Sequence, residues 1–150
     1  LQYYINIKVY KMNNSHQLAN KNNCIIFGNS DIANFIIESL LNSNNNYNIT
    51  LLSEDSFNTK FNNDIYIITG NIYDPKILNE LDFSNTSLSI CCSKDTNLNI
   101  LTSCYIKSLN AENIFCCSYE TQYNNLLDSQ NIITFNPWNI PTKLNSFWRK

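Results

Sequence analysis

A chain of 150 residues is one ordinary domain, long enough to bury about 70% of the surface that its unfolded form exposes. Formal net charge is −2, charged residues make up only 15%, and no basic run occurs, which excludes nucleic acid as the main partner because duplex binding needs clustered Lys and Arg. No apolar stretch approaches the ~18 residues of a membrane span, and no signal-peptide pattern opens the chain.

In chain order, residues 1–22 read as a linker. Ile5, Ile7 and Val9 alternate as in a strand, or else end a preceding helix, and the run after Met12 is polar. The chain opens on Leu1 rather than Met, so a piece of a longer protein is expected. Cys24–Phe27 is a short apolar strand, and Ile32, Ala33, Ile36, Ile37, Leu40 and Leu41 then form a helical stripe. The asparagine tract 42–48 is a loop before strand Ile49–Leu52, and Ile65–Ile68 is the next strand. Asp74 and Pro75 start a helix as N-cap and first helical residue, with Ile77, Leu78 and Leu81 inward. Leu88–Cys92 is a strand, and Thr96 to Asn110 a helix with Leu98, Leu101, Tyr105 and Leu109 on its apolar side. Strand Ile114–Cys117, a short helix at Tyr123, Leu126 and Leu127, and strand Ile132–Phe135 follow, closed by Pro137. The amphipathic segment 138–150, with Trp138, Leu144, Phe147 and Trp148, packs either on the sheet or on a partner.

Uniformly apolar strands belong to a sheet covered on both faces, and strand–helix alternation enforces parallel pairing. The expected fold of residues 23–137 is therefore α/β: a doubly wound, six-stranded, mainly parallel Rossmann-like sheet in the order 3-2-1-4-5-6, with helices on both faces. Cys24, Cys91, Cys92, Cys116 and Cys117 lie within apolar runs and Cys104 on the helical stripe, so all six read as reduced core thiols of a cytosolic protein. Adjacent pairs point to opposite faces of a strand and cannot chelate one metal together. No metal site is expected.

In such a sheet the ligand crevice lies beyond the C-terminal strand ends, where strand order reverses. Here that is the turn Gly28-Asn29-Ser30-Asp31-Ile32-Ala33, set on the template G-x-G-x-x-G/A. Gly28 makes the tight turn, Ala33 lets helix and strand approach, and Ser30 replaces the glycine that would let the backbone touch a pyrophosphate. Ser30 is suited to capping the helix or to donating to a phosphate, while Asp31 adds negative charge where a phosphate would sit. An acid is expected at the end of the second strand to hold a ribose hydroxyl; Ser53 occupies that position and Glu54 follows one residue late.

Three further segments complete a family pattern. Ile68-Thr-Gly70-Asn71-Ile72-Tyr-Asp74-Pro75 is followed by Asn85 to Asn99, which contains Cys92-Ser93-Lys94-Asp95, and then by Ile114 to Pro137. With the glycine turn they resemble, over about three-quarters of the chain, the TrkA N-terminal / RCK (regulator of potassium conductance) domain family. Asn71 stands for that family's usual aspartate. The resemblance implies a non-enzymatic, cytoplasmic regulatory domain at the inner face of the membrane. It implies binding of NAD or an adenine nucleotide by Gly28 to Ile32, Ser53, Glu54, Asn71, Ile72, Cys92 and Ser93. It also implies a dimer or gating ring, partnered with a membrane-embedded potassium channel or transporter subunit.

Two other readings stand beside this one: a degenerate domain of the same fold, kept for assembly and binding no nucleotide, and a small NAD(P)-dependent reductase. For the reductase, Tyr4-x-x-x-Lys8 matches a tyrosine–lysine spacing but precedes the first strand. His16 falls in the polar linker, and Asp64, Asp74, Asp82 and Asp95 fall at element ends, where capping explains them.

Overall fold

A computed structural model describes residues 22–54 and 64–139. The readings on Ile5, Ile7, Val9, Tyr4, Lys8, His16, Leu144, Phe147 and Trp148 fall outside those residues. The described elements are β1 (Asn22–Phe27), α1 (Asp31–Leu41), β2 (Tyr47–Ser53), β3 (Tyr66–Thr69), α2 (Pro75–Glu80), β4 (Thr86–Cys91), α3 (Thr96–Ser108), β5 (Ile114–Cys117), α4 (Asn124–Ser129) and β6 (Ile132–Phe135). Short 3-10 turns cover Phe83–Asn85 and Pro137–Asn139.

The sheet has six strands in the order β3-β2-β1-β4-β5-β6, and every pairing is parallel. This is the expected doubly wound arrangement. β2 begins inside the asparagine tract read as loop, because Tyr47 and Asn48 pair with Asn22 and Asn23. Side-chain amides sustain that polar start: Asn48 Nδ2 donates to Asn23 Oδ1 at 3.1 Å, and Asn23 Nδ2 to the Asn85 carbonyl at 2.8 Å.

Strand alternation sorts the core into two layers. Cys24, Ile26, Ile49, Leu51, Leu88, Ile90 and Cys92 meet Ala33, Ile36, Ile37 and Leu40 of α1 on one face. Ile25, Phe27, Leu52, Cys91, Ile114 and Cys116 meet Leu78 of α2, Ile106 of α3 and Leu127 of α4 on the other. The adjacent cysteines therefore divide between faces, Cys92 and Cys117 with α1, Cys91 and Cys116 opposite.

α3 departs from its expected face. Its buried residues are Asn99, Thr102, Ser103 and Ile106, while Leu101 is exposed and Leu98, Tyr105 and Leu109 are only half-buried. Small polar side chains let this helix lie close to β4 and β5, and the hydrogen bonds of Asn99 fix its rotation. Cys104 is consequently a surface thiol rather than a core one.

With two glycines in the chain, asparagine takes the left-handed positions elsewhere. Among the described residues, Asn110 (φ 63°), Asn113 (φ 48°) and Asn131 (φ 57°) are the non-glycine residues with positive φ. Asn110 ends α3 in a Schellman motif: its amide reaches the Lys107 carbonyl and the Ala111 amide the Ile106 carbonyl, both at 3.1 Å.

All six cysteines are free, and five are buried. Burial pushes the Cys116 thiol up to about 11 and the Cys117 thiol up to about 12. A thiol reagent should label the native protein once, at Cys104, and six times after denaturation. Burial raises the Cys104 thiol as well, so its labelling rate should climb as pH rises above neutral. Stopped-flow absorbance counts the sites and follows the rate.

Candidate functional site

Beyond the C-terminal ends of β1, β2 and β4 lies a cleft of about 250 Å³ lined by Gly28, Asn29, Glu54, Ile72, Tyr73, Ser93, Lys94, Asp95 and Leu98. It sits between β1 and its neighbours, at the point where the strand order reverses. A larger hollow of about 480 Å³ is formed by Lys107, Glu112, Asn113, Asp128, Asn131, Ile132 and Ile133. That hollow opens at the N-terminal ends of β5 and β6, the wrong end of a parallel sheet for a ligand, so the smaller cleft is the candidate site.

The floor of the cleft is a contact between two turns. Gly28 has φ 110°, and a Cβ added there would lie 2.5 Å from both Cα and N of Ser93. Its amide donates to the Leu52 carbonyl at 2.9 Å, and the Cys92 amide donates to the Phe27 carbonyl at 2.9 Å. Gly28 is thus needed first for the approach of the β4 turn. Asn99, 2% exposed, holds that turn from behind. Its Oδ1 accepts from the Ser93 amide and the Ser93 hydroxyl, each at 2.8 Å. Its Nδ2 donates to the carbonyls of Ser93 and Cys117, each at 3.0 Å. One buried amide therefore ties α3 to the ends of β4 and β5.

The proposed ligand residues divide into two groups. Gly28, Asn29, Glu54, Ile72 and Ser93 line the cleft. Ser30, Asp31, Ile32, Ser53, Asn71 and Cys92 do not. Ser30 is the N-cap of α1, accepting from the Ala33 amide at 3.1 Å and donating to the Cys92 carbonyl at 2.6 Å. Asp31 is exposed in the first turn, and Ile32 packs against the α1 side of the core. Ser53 is fully buried, its carbonyl accepting from the Gly70 amide at 3.0 Å. Asn71 folds back to accept from the Tyr73 amide at 3.1 Å. The Cys92 side chain points into the core.

Four further residues line the cleft without a ligand motif in the sequence to mark them: Tyr73, Lys94, Asp95 and Leu98. Asp95 was legible only as a cap, and it is one, accepting from the amides of Asn97 at 2.9 Å and Leu98 at 3.2 Å. Asp74 and Asp82 likewise cap their elements. Tyr73 lies two residues after Asn71, on the turn that the Asn71 side chain shapes. Burial raises its phenol above the usual range; a hydrogen bond with Ser93 opposes that, and the charges of Glu54 and Asp95 reinforce it. The phenol therefore stays protonated at neutral pH, as a hydrogen-bond donor. Among the described residues, no group of three or more His, Cys, Asp or Glu side chains is placed to hold a metal ion.

The chemistry on offer is uneven. Glu54 provides a carboxylate suited to a ribose diol, and Ile72, Tyr73 and Leu98 provide an apolar wall suited to a planar base. The turn that should cradle a pyrophosphate has its one side-chain hydroxyl committed to the cap and to the β4 carbonyl.

The profile of the TrkA-N domain matches residues 24–134, from the first residue facing α1 to the third residue of β6. The chain belongs to the TrkA-N domain family. TrkA-N domains are associated with the regulation of potassium transport, and they are in general NAD(P)-binding folds. No curated protein matches the chain. In this TrkA-N domain the glycine turn and the carboxylate after β2 are present as Gly28 and Glu54, while the second glycine is Ser30.

Gly28→Ala should destabilise the domain by about 2–5 kcal/mol through steric overlap and a strained φ. Asn99→Leu should cost about 3 kcal/mol by leaving buried amide and carbonyl groups unpaired. Gly70→Ala is the control, because an added Cβ meets only the tip of the Ile77 side chain, at 3.3 Å. Urea denaturation midpoints give the order.

Proposed function

We propose that this TrkA-N domain is the regulatory, nucleotide-sensing domain of a potassium channel or potassium transport system. The observation that carries the reading is the cleft at the strand-order reversal, where Gly28, Glu54 and the apolar wall of Ile72 and Leu98 converge. In this reading the ligand is NAD or an adenine nucleotide, its ribose on Glu54 and its base against Ile72 and Leu98. Binding stiffens the Gly28–Ser93 contact and passes through Asn99 to α3. The domain works as a dimer or gating ring, docked to the membrane-embedded subunit at the cytoplasmic face, and it senses rather than turns over its ligand. The family's association with potassium transport supports the regulatory role.

A second reading is favoured by one observation, the commitment of the Ser30 hydroxyl to Cys92. There the fold is retained for assembly and takes no nucleotide.

Thermal denaturation with NAD, NADH, ATP, ADP and AMP separates the two. A ligand binding only the folded state, at a hundredfold over its dissociation constant, adds about 2.7 kcal/mol and raises Tm by several degrees. A rise with one nucleotide identifies the effector. A flat response to all five at millimolar concentration leaves the assembly role.

A further inference from the structure

The charges and size around the cleft carry the sensing reading one step further, to the class of ligand. Among the described residues, Glu54 and Asp95 line the cleft against one lining cation, Lys94, so the described side chains there sum to net negative charge. Asp31 stands exposed in the first turn of α1, where its carboxylate cancels the positive end of the helix dipole that would attract a phosphate. Ser30 Oγ both accepts from the Ala33 amide and donates to the Cys92 carbonyl, so it has no proton left for a phosphate oxygen. The glycine that elsewhere admits a pyrophosphate to the backbone is this same Ser30, buried and wedged between α1 and the end of β4. The described residues enclose about 250 Å³ there, too little to bury a whole dinucleotide.

We infer that this cleft selects a nucleoside carrying at most one phosphate, and discriminates against di- and triphosphates and dinucleotides. Resting on the nucleotide-sensing reading, the inference gives that site a ceiling on phosphate charge. The base lies against Ile72 and Leu98, and the 2′ and 3′ hydroxyls donate to the Glu54 carboxylate. Phosphate groups beyond the first meet Asp31 and the capped start of α1. Lys94 is placed to accept the charge of a single phosphate.

Isothermal titration calorimetry of the whole chain with adenosine, AMP, ADP, ATP and NAD at low ionic strength tests this. Adenosine and AMP should bind at least tenfold more tightly than ADP, ATP and NAD. Asp31→Asn should narrow the gap between AMP and ATP several-fold with little change for adenosine, because the residue is exposed and only its charge is removed. Glu54→Gln should abolish the preference for adenosine over 2′,3′-dideoxyadenosine. ATP or NAD binding as tightly as AMP to the unaltered chain overturns the charge ceiling while leaving the sensing reading intact. Absence of binding by all five ligands overturns both.

Discussion

The contact between Gly28 and Ser93 is the constraint on which the rest of the site depends. Parallel strands β1 and β4 run side by side through the middle of the sheet, and their C-terminal turns must diverge to opposite faces. They do so from van der Waals contact, with no room for a Cβ on Gly28. Once that contact is made, the Cys92 carbonyl is presented to the Ser30 hydroxyl, which sets the start of α1. The Ser93 amide is presented to Asn99, which sets α3. The two helices that flank the cleft are thus oriented from opposite sides of a single backbone approach.

Asn99 explains why α3 looks inside out. A helix whose fully buried residues are Asn99, Thr102, Ser103 and Ile106, with Ile100, Tyr105 and Leu109 only partly buried against the core, does not owe its rotation to an apolar stripe alone. It is held also by four hydrogen bonds from one buried amide, all of them long-range or bridging to the β4 turn. Such an arrangement fixes helix rotation more sharply than an apolar stripe, because every buried donor and acceptor must find its partner. It leaves Leu101 and Cys104 at the surface. Asparagine serves elsewhere too, at strand starts and in left-handed helix ends, where its amide bonds locally and its short side chain tolerates positive φ.

Much of the fold was legible from period and punctuation. Apolar runs bounded by turn residues placed all six strands, and the alternation with helices determined parallel pairing and strand order. The α3 face was not legible, because Leu98, Leu101 and Tyr105 present a better helical stripe than the polar residues that are buried. Hydrophobic periodicity weighs transfer free energy and carries no information about a hydrogen-bond partner eighteen residues away. In the site, Gly28, Asn29 and Glu54 were within reach of motif spacing, whereas Ile72 and Ser93 followed only from the family resemblance. Tyr73, Lys94, Asp95 and Leu98 were within reach of neither, since their convergence requires the turns after β3 and β4 to meet in space.

By itself, the sequence determined the layered α/β architecture, the family, the position of the crevice, and the capping roles of Asp74, Asp82 and Asp95. These follow from local propensity and from periodicities that a linear chain displays openly. Tertiary structure alone decided which groups are left over for a ligand. Ser30 could cap or bind until the end of β4 arrived to take its proton, and Glu54 could face either way until β2 ended beside β3. Each choice depends on a partner brought from a distant part of the chain, and only packing brings that partner into reach.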